Sequence, residues 1–190
     1  YLKNIGLIIV DEEHKFGVTH KEKIKQLKKG IDSLSISATP IPRTLQLSLS
    51  GLREISLLAT PPKERLSIET YIEEFDLSLI KDVVEFELKR DGRVFFVHNE
   101  ILSIEKICNQ IKEICPGYKA DYIHGKLPGN EVEKKLKDFI DGEIKILITT
   151  TIVEAGLDIQ EANTMIINNA HKFGLSDLYQ LRGRIGRGSK

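Results

Sequence analysis

The sequence predicts an α/β fold in which parallel sheets are flanked by helices. Short apolar runs alternate with longer stretches whose apolar residues recur at helical spacing, which is the pattern of a parallel sheet covered by helices. Hydrophobic residues make up 41% and charged residues 29% of the 190 positions, a mixture typical of globular domains. This length is sufficient for one large domain or two small ones, each with a buried core.

The first part of the chain contains two predicted strands with a helix between them. The strands are expected over residues 5–10 and 33–37, and the lysine-rich stretch between them carries Ile24 and Leu27 on one side of the helix. We interpret its lysines as the solvated face of this helix, with a DNA-binding patch as the alternative. A further helix is expected up to about residue 50, followed by an extended run over 54–58.

Two consecutive prolines, Pro61 and Pro62, indicate a domain boundary, because proline interrupts both helices and sheet ladders. We predict a first domain over residues 1–58, a linker over 59–65 and a second domain over 66–190. Extended runs are expected in the second domain over 67–75, 94–97, 119–123, 144–148 and 164–167, and helices over 77–89, around Cys108, over 130–140 and from about 175. We therefore expect a nearly complete second domain and, in the first, only the trailing half of one.

Composition argues against several other classes of protein. The 28 basic and 28 acidic residues give no net charge, so composition alone does not indicate a nucleic-acid partner. Cys108 and Cys115 lie in a stretch of helical periodicity, which predicts core-facing residues rather than zinc ligands or a disulfide. No apolar run approaches the ~20 residues of a membrane-spanning helix, and no signal peptide is recognisable, so we expect a cytoplasmic location and no membrane partner.

A strand that ends in carboxylates is the strongest local signal of a functional site. The apolar residues 8–10 lead directly into Asp11 and Glu12. Ligands of open α/β sheets bind beyond the carboxyl ends of the strands, so both carboxylates should lie at such a site. One can hold Mg²⁺, and the other can polarise the water that attacks a γ-phosphate. The alternative is an acidic strand end that caps a nearby helix.

Two further motifs each have a functional and a structural interpretation. Ser37 and Thr39 follow the second strand, where their hydroxyls serve either a hydrogen-bond relay or ordinary turn and helix-cap chemistry. Arg184 and Arg187 are interspersed with glycines, which let the backbone approach a ligand closely. Because the guanidinium fork matches phosphate oxygens, this pair can stabilise charge during phosphoryl transfer; the alternative is a basic surface turn.

Together and in this order, the motifs resemble those of the superfamily 2 helicases and translocases. Residues 11–14 (DEEH) resemble motif II, 37–39 (SAT) motif III, 96–99 (FVHN) motif IV, 149–159 (TTTIVEAGLDI) motif V and 180–187 (QLRGRIGR) motif VI. Residues 11–18, 38–45 and 173–175 are similar in form to those of the bacterial transcription-repair coupling factors (the Mfd family) and their relatives, the RecG helicases. Residues 50–54 and 59–62 are more similar to the coupling factors, which we take as the closer family.

The resemblance implies RecA-like motor domains, a partial first one and a nearly complete second one, that hydrolyse ATP with Mg²⁺ and translocate on double-stranded DNA. The implied function is to displace RNA polymerase stalled at DNA damage and to recruit nucleotide excision repair. RNA polymerase and excision-repair proteins would bind through regions outside this chain. RecG-like action on branched DNA is the alternative within this class, and a catalytically inactive scaffold that binds DNA or protein is the alternative from another class.

The resemblance also assigns roles to residues at matching positions. Asp11 would serve Mg²⁺, Glu12 would be the general base, and Arg187 would be the arginine finger. Arg184 would be catalytic beside it. The other nucleotide-binding residues would be Gly156, Asp158 and Gln180. The residues that couple the state of the nucleotide to the grip on DNA would be His14, Ser37 and Thr39. The DNA-binding residues would be Arg43, His98, Asn99, Gly125, Thr149 and Thr150.

One motif of this family does not occur in the sequence. There is no G-x-x-x-x-G-K-[ST] phosphate-binding loop, although a motor of this kind needs one to cradle the β- and γ-phosphates. We therefore interpret the chain as a piece of a larger protein and expect no ATPase activity from these 190 residues by themselves.

Overall fold

The computed structural model divides into two compact units, a first unit of residues 1–58 and a second unit of residues 59–190. It describes residues 5–12, 16–27, 30–37, 56, 58, 60, 68–150 and 162–186. The helix expected up to residue 50 lies outside these ranges, and so does most of the run over 54–58 and of the linker over 59–65.

The first unit contains a pair of parallel strands joined by a helix. Strand β1 spans Leu7–Asp11, helix α1 spans Val18–Leu27 and strand β2 spans Asp32–Ile36. Parallel strands need a crossover connection, which α1 supplies. The register places Asp11 opposite Ile36, so both strands end at the same edge. Each strand begins and ends within two residues of its predicted position.

The second unit is a four-stranded parallel sheet with flanking helices. Its elements are α2 (Leu77–Lys89), β3 (Arg93–His98), α3 (Ile104–Ile114), β4 (Ala120–Ile123), α4 (Gly129–Ile140), β5 (Ile146–Thr149), β6 (Ala162–Asn168), a 3₁₀ helix (Ala170–Lys172) and α5 (Leu175–Arg182). The strand order is β4-β5-β3-β6, and every pairing is parallel. The predicted α/β class is therefore confirmed.

Helices cover both faces of this sheet, which explains the almost uninterrupted apolar sequence of β3. On one face, α2 and α3 pack through buried residues such as Val84 and Cys108 against Phe96 of β3. On the other face, Phe139 of α4 packs against Phe95, with ring centroids 4.8 Å apart. Successive residues of a strand point to opposite faces, so Phe95 and Phe96 enter different halves of the core.

Local rules account for several helix ends. Helix α2 begins where predicted because the Asp76 carboxylate accepts a hydrogen bond of 2.8 Å from the Ser78 N–H. Helix α4 ends at Ile140, and Gly142 takes the left-handed φ of 85° expected of a glycine just past a helix. Cys108 and Cys115 are both buried, as predicted for core-facing residues.

Strand β5 begins two residues later than the apolar pattern suggests. Ile144 is fully buried, but its N–H donates to the Asp138 carbonyl at 3.0 Å and so belongs to the turn after α4. Residues 68–75, expected as an extended run, join no ladder within the described residues. No helix among the described residues is long and apolar enough to cross a membrane.

A buried carboxylate anchors the end of α2. Glu87 has no exposed surface, pairs with Arg90 and accepts a hydrogen bond of 2.7 Å from the Thr164 hydroxyl of β6. A Cβ atom at Gly92 would overlap this carboxylate, which explains the glycine in the turn before β3. Sequence patterns did not predict this link between a helix and a strand far apart in the chain.

Candidate nucleotide and nucleic-acid sites

Asp11 and Glu12 lie at the carboxyl end of β1. Asp11 is the exposed last residue of the strand, and Glu12 follows with a φ of 48°, in the left-handed region that few residues other than glycine adopt. The N–H of Glu12 donates to the Ile36 carbonyl at 2.9 Å. Such a conformation costs of order 1–3 kcal/mol, and residues held in this way cluster at functional sites.

Ser37 connects the end of β2 to this turn. Its hydroxyl donates to Oε2 of Glu12 at 3.3 Å, so the residues after β1 and after β2 share a side-chain hydrogen bond. Glu12 is half-buried and Ser37 is exposed. The structure thus brings together two residues that the sequence placed in separate motifs. The other predicted residues of this region, His14, Thr39 and Arg43, lie outside the described residues.

The acidic residues at this edge suit Mg²⁺ that is bound together with phosphates. Within the described residues, no three or more His, Cys, Asp or Glu side chains are grouped as ligands of a metal ion. Mg²⁺ in phosphate-transfer sites is held by one or two carboxylates, water and the substrate phosphates rather than by a cage of protein ligands. The exposed carboxylate of Asp11 fits that donor set.

In the second unit, the predicted DNA-binding residues follow three parallel strands at one edge of the sheet. His98 ends β3 and is followed by Asn99, Thr149 ends β5 and is followed by Thr150, and Gly125 follows β4 by two positions. Asn99 and Gly125 are exposed, whereas the other three residues are buried. The parallel topology therefore brings these residues to one edge and leaves two of them open to solvent.

Thr149 and Thr150 are hydrogen-bonded at the carboxyl end of β5. Thr149 lies between Val97 and Ile123 in the sheet register. Its hydroxyl donates to the Thr150 carbonyl at 2.8 Å, and the N–H of Thr150 donates to the Ile123 carbonyl at 3.4 Å. Both threonines thus shape the backbone at the carboxyl edge. The predicted nucleotide-binding residues Gly156 and Asp158 lie outside the described residues.

His98 is bonded through both ring nitrogens. Its side chain is only 3% exposed; Nδ1 lies 3.0 Å from Nδ2 of Asn168, and Nε2 lies 2.8 Å from Oγ of Ser103. Burial lowers the pKa of His98 below its ordinary value of 6.5; the negative charge of Glu100 opposes this shift, and the positive charge of Lys172 adds to it. Sequence reasoning identified His98 but missed Asn168 and Ser103, because neither belongs to a recognisable motif.

The arginine-rich turn follows α5. Gln180 lies on this helix, and Arg184 follows it with its N–H bonded to the Leu181 carbonyl at 3.0 Å. Gly186 has a φ of 70°, and a Cβ atom there would lie 3.2 Å from Cγ1 of Ile68. The turn therefore requires glycine for its backbone conformation and for the space beside Ile68. Arg187 lies outside the described residues.

The topology of the second unit, with its arginine-rich turn, defines the RecA-like C-terminal domain of a helicase. Residues 76–189 match the family described as the helicase conserved C-terminal domain, and the chain belongs to this family. This confirms the superfamily 2 resemblance that the motifs predicted.

Among individual proteins, the chain is similar to transcription-repair coupling factors. It is 47% identical over 188 residues to that of Bacillus subtilis and 52% identical over 188 residues to that of Borreliella burgdorferi. These matches cover 99% of this chain but only 16% and 17% of the relatives, so the chain spans about one sixth of their length. A structure of RecG bound to a three-way DNA junction is also similar, with 34% identity, a TM-score of 0.69 and coverage of 98% of this chain and 25% of that chain.

Proposed function

We propose that the chain is part of the ATP-driven motor of a transcription-repair coupling factor. The observation that carries this proposal is the identity of about half of the residues to two such factors over 99% of the chain. The complete protein translocates on double-stranded DNA, displaces stalled RNA polymerase and recruits excision-repair proteins. It binds the polymerase and the repair proteins through regions outside these 190 residues.

The geometry at the end of β1 supports a role in ATP hydrolysis. Glu12 is the general base that takes a proton from the attacking water, and its backbone bond to Ile36 holds it in place. Asp11 serves Mg²⁺, which neutralises charge on the phosphates when it is bound. Arg184 and Arg187 present guanidinium groups to the phosphates, and the remaining nucleotide contacts come from Gly156, Asp158 and Gln180.

The hydrogen bond between Ser37 and Glu12 supports a coupling role for the segment after β2. A change in the position of Glu12 alters a bond to Ser37, and the polypeptide continues from there to Thr39 and Arg43. We assign His14, Ser37 and Thr39 to this coupling, by which the state of the nucleotide affects the grip on DNA.

The carboxyl edge of the second unit supports DNA binding without a large net charge. Asn99 and Gly125 are exposed there, and backbone N–H groups can bind phosphates without adding to the charge count. His98, Thr149 and Thr150 shape this edge from buried positions. We also assign Arg43 to DNA binding, on its match to the family motif alone.

The similarity to RecG bound to a three-way junction favours a second candidate, the remodelling of branched DNA. The identity of 34% to RecG is lower than the 47% and 52% to the coupling factors, so we place this candidate second. An inactive scaffold is a weaker alternative, because the general base and both arginines are retained in the sequence.

The proposal is tested with the longer protein that contains this chain. We expect double-stranded DNA to stimulate its ATP hydrolysis, and we expect the protein to displace an RNA polymerase stalled on a DNA template. Reversal of a model fork without displacement of the polymerase would favour the RecG-like candidate, and absence of ATP hydrolysis would favour the scaffold. The 190-residue chain alone should neither bind Mg·ATP at micromolar concentration in calorimetry nor release phosphate.

A further inference from the structure

A closed ring of hydrogen bonds surrounds Asn99 at the end of β3. The ring nitrogen Nε2 of His98 bonds to Oγ of Ser103 at 2.8 Å, and this hydroxyl donates to Oε2 of Glu100 at 2.6 Å. The N–H of Glu100 donates back to the His98 carbonyl at 2.9 Å. This last bond closes a three-residue turn with Asn99 at its tip. The exposed Asn99 thus projects from a turn that is bonded on both sides.

The same imidazole is also bonded to the neighbouring strand. Nδ1 of His98 lies 3.0 Å from Nδ2 of Asn168, its partner in the β3–β6 register. The next residue, Asn169, has a left-handed φ of 54° and is the N-cap of the 3₁₀ helix, whose Lys172 N–H donates to the Asn169 carbonyl at 2.9 Å. His98 therefore stands between two exposed asparagines, Asn99 and Asn169, one after each strand.

The donors and acceptors of this network permit one tautomer of His98. The hydrogen bond from Ser103, and then the charge of Lys172, lower the pKa of Glu100, so its carboxylate is ionised and can only accept. Ser103 gives its single hydroxyl proton to Glu100 and must accept from Nε2 of His98. A neutral imidazole that carries its proton on Nε2 presents a lone pair on Nδ1, which accepts from the Asn168 amide.

We propose that His98 is a positioning residue: as the neutral tautomer protonated on Nε2, it holds Asn99 and Asn169 at the carboxyl edge of the second unit. A groove of about 310 Å³ opens beside the imidazole, and its lining includes Lys106, Gln110 and Asn169. Because the His98 side chain is buried and hydrogen-bonded through both ring nitrogens, it affects a ligand bound at this edge through Asn99 and Asn169, the two residues that it holds in place. That this ligand is DNA rests on the proposed function; the positioning itself does not.

The tautomer is tested on the 190-residue chain by ¹⁵N spectroscopy of the histidine side chains. We expect His98 to carry its proton on Nε2 at neutral pH. Asn168→Asp replaces the donor with an acceptor, and it should move the proton to Nδ1 or yield the doubly protonated ring. Asn169→Asp adds the same charge one residue further along and should leave the tautomer unchanged. A proton on Nδ1 in the wild type, or no response to Asn168→Asp, would overturn the assignment.

Positioning is tested by the backbone amide chemical shifts of Asn99 and Asn169. His98→Ala should shift both, whereas His171→Ala, which removes an exposed histidine outside the network, should shift neither. His98→Asn keeps an acceptor near the place of Nδ1 and should spare Asn169, while His98→Gln keeps a donor near the place of Nε2 and should spare Asn99. If His98→Ala unfolds the chain, Ser103→Ala and Asn168→Ala should each shift one of the two amides. Unchanged shifts in these variants would contradict the positioning role.

Binding of the same variants to a fluorescent DNA duplex, measured by anisotropy at one salt concentration, tests the link to DNA. His98→Ala should weaken binding roughly 5- to 10-fold, the effect of one or two lost hydrogen bonds, and His171→Ala should not. Wild-type affinity in His98→Ala, together with shifted amides, would show that the positioned residues do not serve DNA. A wild-type chain that binds no duplex but shows the expected tautomer and shifts would contradict the proposed function and leave the positioning intact.

Discussion

The hydroxyl of Ser37 lies 3.3 Å from Oε2 of Glu12 and joins the segment after β2 to the segment after β1. This contact follows from the parallel pairing, which places Asp11 opposite Ile36 and so brings the next residue of each strand to the same edge. A proposed general base is thereby bonded to a residue proposed to couple ATP to DNA, and each role can be tested separately.

Ser37→Ala in the longer protein should reduce the stimulation of ATP hydrolysis by DNA several-fold and leave the basal rate nearly unchanged. The substitution removes a bond to Glu12 but keeps the carboxylate. Steady-state phosphate release with and without duplex DNA measures both rates. Ser33→Ala, at an exposed position of β2, is the matched control. An equal fall in both rates would place Ser37 in hydrolysis rather than in coupling.

Glu12→Gln in the longer protein should abolish ATP hydrolysis and leave ATP affinity within a few-fold of the wild type. The amide keeps the size and polarity of the side chain but cannot take a proton from water. Hydrolysis is measured by phosphate release and affinity by calorimetry, with Glu22→Gln on α1 as the control. A comparable loss of affinity would mean that Glu12 binds the nucleotide rather than acting as the base.

Arg187→Ala should slow DNA-stimulated hydrolysis in the longer protein by roughly 10³-fold or more, as expected for an arginine finger. Arg187 lies outside the described residues, so this prediction rests on the sequence. The turnover number at saturating ATP is the relevant measurement. Arg182→Ala, at an exposed position of α5, is the control. An unchanged rate in Arg187→Ala would remove this residue from the nucleotide site.

Gly186→Ala should lower the free energy of unfolding of the 190-residue chain by roughly 1–2 kcal/mol, because alanine is disfavoured at a φ of 70°. Urea unfolding measures the change. Gly117→Ala, where a Cβ atom meets nothing within 4 Å, is the control. Combining Gly186→Ala with Ile68→Ala relieves the 3.2 Å contact but not the backbone strain. If Gly186→Ala has no effect on the free energy of unfolding in the Ile68→Ala background, then the contact with Ile68, and not the φ of Gly186, is what requires glycine.

The stability of the chain should depend on pH through His98. Burial lowers the pKa of this residue in the folded state, so the unfolded chain binds the proton more readily. The neutral ring therefore makes its full contribution to the free energy of unfolding above the ordinary pKa of 6.5. This contribution is lost as the pH falls below 6.5 toward the pKa of the folded state. Urea unfolding of the wild type and of His98→Gln should show a difference in the free energy of unfolding that becomes smaller as the pH falls. A difference that grows on acidification would contradict the sign of the shift.

Local patterns were sufficient to predict much of the fold and to nominate several candidate site residues. The bounds of α2 and the burial of both cysteines follow from capping and helical periodicity, which act over a few residues. Asp11, Glu12 and the arginine-rich turn were recognisable for the same reason, since each lies within one short segment.

The tertiary structure alone decided which distant residues meet. His98 and Asn168 are 70 residues apart in the chain, and Glu87 and Thr164 are 77 apart, yet each pair shares a hydrogen bond. The parallel order β4-β5-β3-β6 produces the first contact by placing β6 beside β3, and the packing of α2 on the same sheet brings Glu87 to Thr164. The pattern of a strand shows that it is buried but not which strand becomes its neighbour, because the neighbour is selected by the packing of helices on both faces of the sheet.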